Sequence, residues 1–129
     1  MDPISDILTR INNAQKAGHE SIEMPASKAK FELAKILQRE GFLTSVDEKK
    51  GKNNKKKLIL QLKYLSGQPA ITGIKRISKP GCRIYIAADK IRSVRQGYGR
   101  AIISTSRGLM TDKEARKNRL GGEVICEIY

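Results

Sequence analysis

The chain has 129 residues, 39% hydrophobic and 30% charged, and a formal net charge of +13 from 26 Lys and Arg against 13 Asp and Glu. That apolar content is enough for a packed core, so wholesale disorder is excluded, and no apolar run approaches the roughly 18 residues that cross a bilayer. Two cysteines and one histidine exclude a disulfide scaffold, and also a tetrahedral structural zinc site built without carboxylates.

The opening Met1-Asp2-Pro3-Ile4-Ser5-Asp6 is acidic and lacks the basic start and apolar stretch of a secretory signal, which makes a cytosolic protein the expectation. Residues 2–17 read as a helix: Asp2 caps it, Pro3 suits its first position, and Ile4, Ile7, Leu8, Ile11 and Ala14 share one face before Gly18 ends it. An extended piece, Glu20 to Met24, precedes Pro25. A second helix runs from about Ser27 to Glu40 with Leu33, Ala34, Ile36 and Leu37 as its apolar stripe. Residues 42–47 and 57–64 read as a hairpin, because Leu58, Leu60, Leu62 and Tyr64 alternate with Lys57, Ile59, Gln61 and Lys63. The Gly/Asn/Lys stretch between them reads as a solvated tip. Leu65 to Ala70 is rich in turn residues and marks a lobe boundary.

Beyond it, seven of the eleven glycines fall between Gly73 and Gly122, as in a fold of strands and tight turns. Residues 82–88 are expected as a strand with Cys82, Ile84, Ile86 and Ala88 on one side and Arg83 and Tyr85 on the other. Residues 99–105 and Val124 to Tyr129 are two further strands, the last with Val124, Cys126 and Ile128 on one face. Thr111-Asp112-Lys113-Glu114 matches a capping box that opens a short helix, which Gly121-Gly122 would stop. Both cysteines are expected to be buried thiols. The fold class is α/β in the α+β sense. Residues 1–66 form a helix-strand-helix-hairpin lobe, and 67–129 a mainly antiparallel β lobe with one short helix.

The basic surplus is local. Residues 1–46 balance to zero, 47–57 carry +4, 58–100 carry +8 and 101–129 carry +1. Such asymmetry points to a polyanion met by one side of the molecule and argues against a membrane surface, since no basic amphipathic helix with bulky aromatics is present. Within Ile102-Ile103-Ser104-Thr105-Ser106-Arg107-Gly108, three hydroxyl residues end a strand and enter a glycine loop. Short hydroxyls fixed by the backbone suit base edges, ribose hydroxyls and phosphates; equally, they suit a polar turn bonding its own backbone. In Lys75-Arg76-Ile77-Ser78-Lys79-Pro80-Gly81-Cys82-Arg83-Ile84-Tyr85, bases precede a Pro-Gly turn, and Arg83 and Tyr85 then share a strand face where a base can stack. The lysine loop 49–57 reads as a solvated hairpin tip that, in contact with RNA, would add salt-sensitive affinity without sequence preference.

Catalytic signatures are missing. Gly97-Tyr98-Gly99 is not a GxGxxG fingerprint, no GxxxxGK[ST] loop exists, and Ser27-Lys28-Ala29-Lys30 reads as a helix cap. Ser104 to Ser106 lack a nearby general base, and His19 reads as a turn residue. No catalytic residue, metal ligand or cofactor is assigned.

Several blocks together resemble bacterial ribosomal protein S-eight, the eighth protein of the small subunit. They are Gly73-Ile74-Lys75-Arg76-Ile77-Ser78-Lys79-Pro80-Gly81, Arg83-Ile84-Tyr85, Gly97-x-Gly99, Ile103-Ser104-Thr105-Ser106-x-Gly108-x-Met110-Thr111-Asp112-Lys113-Glu114-Ala115-Arg116 and Gly121-Gly122-Glu123. Asp6-x-Leu8-Thr9-Arg10-Ile11-x-Asn13-Ala14 and Pro25-x-Ser27-Lys28 fit as well, so the resemblance spans essentially the whole chain. It implies a two-lobed structural protein, not an enzyme, that binds an irregular helix in the small-subunit rRNA central domain early in assembly and helps to organise the platform. Small-subunit proteins five and twelve are implied neighbours, and some members repress translation of their own operon mRNA through a similar helix. The implied location is the cytoplasm, in the small ribosomal subunit, with an organellar ribosome as the alternative.

By the same resemblance, Ser104, Thr105, Ser106 and Gly108, with Arg107 between them, form the main RNA-contacting loop. Tyr85 and Glu123 support it, and Lys28 and Lys30 are basic positions of the N-terminal lobe. Lys75, Arg76, Lys79 and Arg83 complete the RNA-binding set from the charge reading. Three residues depart from the family pattern: Asn12 stands for an arginine, Arg92 for a proline and Arg100 for an apolar residue. The rival readings are an extra-ribosomal RNA or DNA regulator and a nucleic-acid-processing enzyme.

Overall fold

A computed structural model describes residues 2–129, which form two compact units, one ending at Ala70 and one from Ile71 to Tyr129.

In the first unit, helix α1 (Pro3–Lys16) begins where the sequence predicts: the Asp2 carboxylate accepts the Ser5 N–H at 2.8 Å, and Pro3 occupies the first turn. Its inner face buries Ile7, Leu8, Ile11 and Ala14. Helix α2 (Lys28–Arg39) is capped by Ser27, whose hydroxyl accepts the Lys30 N–H, and buries Leu33, Ala34, Ile36 and Leu37. Each buried Leu or Ile side chain contributes about 1.5–3 kcal/mol. Strands β1 (Ser21–Pro25), β2 (Leu43–Lys50) and β3 (Lys56–Leu62) form an antiparallel sheet in the order β1-β3-β2. Leu58, Leu60 and Leu62 of β3 lie buried on its core face, as the alternation predicts.

The hairpin is longer than expected. Its ladder runs on through Lys49↔Lys57 and Lys50↔Lys56, leaving only residues 51–55 as a loop. A two-stranded ribbon, β4 (Tyr64–Leu65) and β5 (Gln68–Pro69), follows across a turn at Ser66 and Gly67, both at positive φ. The Ala70 N–H returns to the Lys63 carbonyl at 2.8 Å, which holds 67–70 to the first unit, beyond the boundary after residue 66 that turn residues suggest.

The second unit contains β6 (Ile74–Arg76), β7 (Tyr85–Ile86), β8 (Arg100–Thr105), β9 (Gly108–Thr111), α3 (Asp112–Asn118) and β10 (Gly122–Ile128). All pairings are antiparallel, in the order β6-β10-β8-β9, and β7 also pairs with β10. One face, carrying Ala101, Ile103 and Met110, packs against Ile91, Val94 and Ala115. The capping box forms as predicted: Thr111 Oγ1 accepts the Glu114 N–H at 3.2 Å, and Glu114 Oε1 accepts the Thr111 N–H at 3.4 Å.

Several local expectations are corrected. Of the strand expected over 82–88, only Tyr85–Ile86 pairs, because the stretch before it is drawn into a tight turn by reciprocal Lys79–Cys82 backbone bonds. Cys82 is therefore exposed. Cys126 is buried, and loss of hydration pushes its thiol up to about 12. A bulge between Val124 and Cys126 puts Val124 opposite Ile103 and Cys126 opposite Ile102, on opposite faces of the sheet. Helix α3 ends at Arg119 in the left-handed conformation, not at the Gly-Gly pair. Those glycines serve the sheet: a Cβ on Gly122 would meet the Ser104 carbonyl, and one on Gly121 the Ile86 carbonyl.

Candidate nucleic-acid interface

The register of the second sheet assembles a row of side chains. Tyr85 on β7 lies opposite Glu123 on β10, Glu123 opposite Ser104 on β8, and Ser104 opposite Leu109 on β9. Residues directly opposite in an antiparallel ladder share a face, so these four cross the sheet in one line, on the side away from α3. Tyr85 is 70% exposed, an unusual fraction for a tyrosine with ordered backbone on both sides.

Glu123 is mostly covered and binds Arg83: Nη1 donates to Oε2 at 3.1 Å. A carboxylate in a basic surface thus has an intramolecular task. It holds a half-exposed guanidinium in place next to Tyr85, where a flat cation and a flat ring offer stacking faces.

At the end of the row, β8 turns into β9 through Ser106 and Arg107, with Thr105 opposite Gly108. Thr105 Oγ1 donates to the Gly108 carbonyl at 2.9 Å and accepts the Arg107 N–H at 3.1 Å, so this hydroxyl braces the turn. Gly108 has φ +106, a conformation that disfavours a side chain. Ser106 and Arg107 are exposed, and the Ser104 and Ser106 hydroxyls make no hydrogen bond among the described residues. The hydroxyl triplet therefore divides: Thr105 serves the fold, and Ser104 and Ser106 are available to a ligand.

The segment entering β7 is fixed by a residue that sequence reasoning did not single out. Ser78 is fully buried; its Oγ accepts the Ile84 N–H at 2.9 Å and donates to the Ile84 carbonyl at 3.2 Å. This clamp closes the loop that carries Lys79, Pro80, Gly81 and Arg83. Its only sequence signal is a lone serine in a basic, apolar run. Arg76 Nε donates to the Ser78 carbonyl from the same side, which makes Arg76 a brace of the loop. Lys79 is exposed at the loop's turn, whereas Lys75 sits opposite Glu127 on the other face of the sheet.

Two expected bases lie in the first unit. Lys28 is exposed in the first turn of α2. Lys30 is a correction: its side chain is 8% exposed, and its ammonium donates to Asp6 Oδ2 at 2.6 Å and to the Pro25 carbonyl at 3.2 Å. With its donors engaged inside the fold, it has no free reach to a phosphate. Arg100 is likewise occupied, donating to the Gly97 and Gly99 carbonyls at 2.8 Å. Asn12 and Arg92 are exposed.

Among the described residues, no group of three or more His, Cys, Asp or Glu is placed to hold a metal, and no helix is long and apolar enough to cross a membrane. A sheet face with a stacking platform, a held guanidinium and short hydroxyls is equipped for recognition of a polar surface, and it contains no paired base and nucleophile. Comparison with known proteins gives this class its family. A sequence profile described as Ribosomal protein S8 matches residues 2–129. The small ribosomal subunit protein uS8 of Exiguobacterium sibiricum is 54% identical, over 99% of this chain and 97% of its own length. Those of Hydrogenovibrio crunogenus and Mycoplasmopsis synoviae are 49% and 48% identical, over 98% and 99% of this chain and 96% and 97% of theirs. The chain belongs to the ribosomal protein S8 family and is a structural ribosomal protein, not an enzyme.

Proposed function

We propose that this chain is a component of the small ribosomal subunit that binds an irregular helix in the central domain of its rRNA and helps to assemble the platform. The observation that carries the proposal is the row Tyr85–Glu123–Ser104 ending at the Ser106–Arg107 turn. A regular A-form helix hides its base edges in a narrow groove, whereas an irregular one opens them. Tyr85 and Arg83 then offer stacking faces to an unpaired base, Ser104 and Ser106 offer donors and acceptors to base edges and 2′-hydroxyls, and Arg107 and Lys79 meet flanking phosphates. The resemblance adds small-subunit proteins five and twelve as neighbours, and the cytoplasm as the place. It also adds its own operon mRNA as a second ligand, which would have to present a similar helix to the same surface.

The test is equilibrium binding to an rRNA fragment carrying the irregular helix, against a fully paired RNA of equal length, across a salt series. Preference for the irregular helix should persist at high salt. Ser106→Ala should weaken that specific binding by about 1–3 kcal/mol, the scale for leaving a buried polar partner unsatisfied. It should leave the salt slope unchanged. Equal affinity for both RNAs, falling together with salt, would defeat the proposal.

A further inference from the structure

The lysine-rich hairpin of the first unit has no role in the recognition just described. Residues 49–57 contain six lysines and no acid. They do not form a loose tip: four of them, Lys49, Lys50, Lys56 and Lys57, are ladder residues paired Lys49↔Lys57 and Lys50↔Lys56. Like charges directly opposite in a ladder repel one another. Successive pairs point to opposite faces, so the ribbon is positively charged on both sides. All four are exposed, and none forms an ion pair among the described residues.

Apolar packing does not explain the extension, because the buried positions of β3 stop at Leu58. Backbone bonds hold the arm: the Lys49–Lys57 and Lys50–Lys56 ladder, Gly51 N–H to the Lys55 carbonyl at 2.7 Å across the tip and, at its root, the pairing of Lys57 with Pro25 of β1 and Ala26 N–H to the Lys56 carbonyl at 3.0 Å. The latter bond brings the arm beside the segment that carries exposed Lys28. Protection of a sheet edge from other strands is a common use of lysine, but it would need lysines only on β2. Here β3 supplies Lys57, which is flanked by Pro25 of β1 as well as by Lys49 of β2 and is no edge residue.

An ordered ribbon with opposed like charges and no core beneath it is a surface whose repulsion a polyanion relieves. We infer that the β2–β3 arm, through Lys49, Lys50, Lys56 and Lys57, grips the phosphate backbone of RNA without reading its sequence. The inference rests on the RNA-binding function proposed above and adds a second contact, on the other unit. Ammonium groups give point charges with little geometric demand, which suits phosphates and not base edges. Each phosphate neutralised releases condensed counterions, so the arm's contribution must appear in the salt dependence.

The experiment compares the wild-type chain with Lys49→Gln/Lys50→Gln/Lys56→Gln/Lys57→Gln on the irregular and paired RNAs, from low to high salt. The variant should bind both RNAs about 10- to 100-fold more weakly at low salt, with a log–log salt slope shallower by roughly 2–4. The ratio of the two affinities should not change. Its melting temperature should hold or rise, because the opposed charges are gone. Should the ladder variant not fold, Lys52→Gln/Lys55→Gln, both in the tip, should give a smaller loss with a slope shallower by roughly 1–2. Unchanged slopes and affinities in the folded variant would overturn the inference, as would a loss confined to the irregular helix. Failure of the site on the second unit has a different signature: wild-type protein that does not distinguish the two RNAs.

Discussion

Lys30 shows how little a residue's type says about its task. A lysine three positions after a helix cap, in a basic protein, reads as a phosphate ligand. In the fold it is a tether, joining α2 to Asp6 of α1 and to the chain at Pro25. The hydrogen bond from Lys30, helped by Arg10, holds the Asp6 carboxyl below its usual range. A depressed carboxylate pKa stabilises the fold above the unfolded value near ~4, and that contribution is lost as pH falls through the folded value. Asp6→Asn should therefore cost roughly 1–3 kcal/mol at pH 7, the scale of a charge-assisted bond to a nearly buried ammonium. The deficit should shrink as pH drops below about 4; melting curves of both proteins between pH 7 and pH 3 read it directly. A constant deficit across that range would mean that the pair contributes nothing specific. Glu123 was misleading in the opposite direction: an acid in a basic lobe looks out of place until Arg83 is seen beside it. Neither partnership has a sequence signature, because 24 residues separate one pair and 40 the other.

At the scale of elements, what was legible had a local cause. Helices α1, α2 and α3 carry their caps and apolar stripes within one or two turns of sequence, and all three start at the residues those signals mark. β3 alternates over seven residues and was legible for the same reason. β6, β7 and β9 span two to four residues, too few to show a period, and exist because β10 or β8 provides a template for them. The hydroxyl loop was found from its composition, but the division of labour within it depends on a two-residue turn whose strand β9 was not expected. Gly121-Gly122 illustrates the same limit. After a helix the pair looks like a stop signal, whereas its role is to let β7 and β8 approach β10 closely. Gly122→Ala should push β8 away from β10 at Ser104, lowering stability by about 1–3 kcal/mol, the usual cost of forced overpacking. Denaturant unfolding reads that loss. Because the glycine neighbours Glu123, RNA preference should fall even where the variant remains folded.

For the molecule as a whole, a surplus of thirteen positive charges has a thermodynamic signature independent of any ligand. Net charge of this size opposes the compact state through self-repulsion, which salt screens. The melting temperature of the free protein should rise by about 2–5 °C between low and moderate ionic strength, corresponding to ~0.5–1 kcal/mol. A short polyanion should produce the same rise at far lower concentration. A melting temperature that falls with added salt would mean that attractive ion pairs, such as Arg116–Asp112 and Lys30–Asp6, outweigh the surplus. Salt then acts in two opposite ways on this protein, steadying the free chain while weakening its hold on RNA.

The position of β10 has a consequence for biosynthesis. The strand that pairs with β6, β7 and β8 is the last of its unit to be translated, so three partners are made before the element that joins them exists. The first unit closes its sheet with β3, which ends at Leu62. At ordinary translation speeds of ~5–20 residues per second, the 59 residues of the second unit take about 3–12 s to make. Until β10 joins them, the bare strand edges and basic residues of this segment are open to capture by chaperones or by nearby RNA.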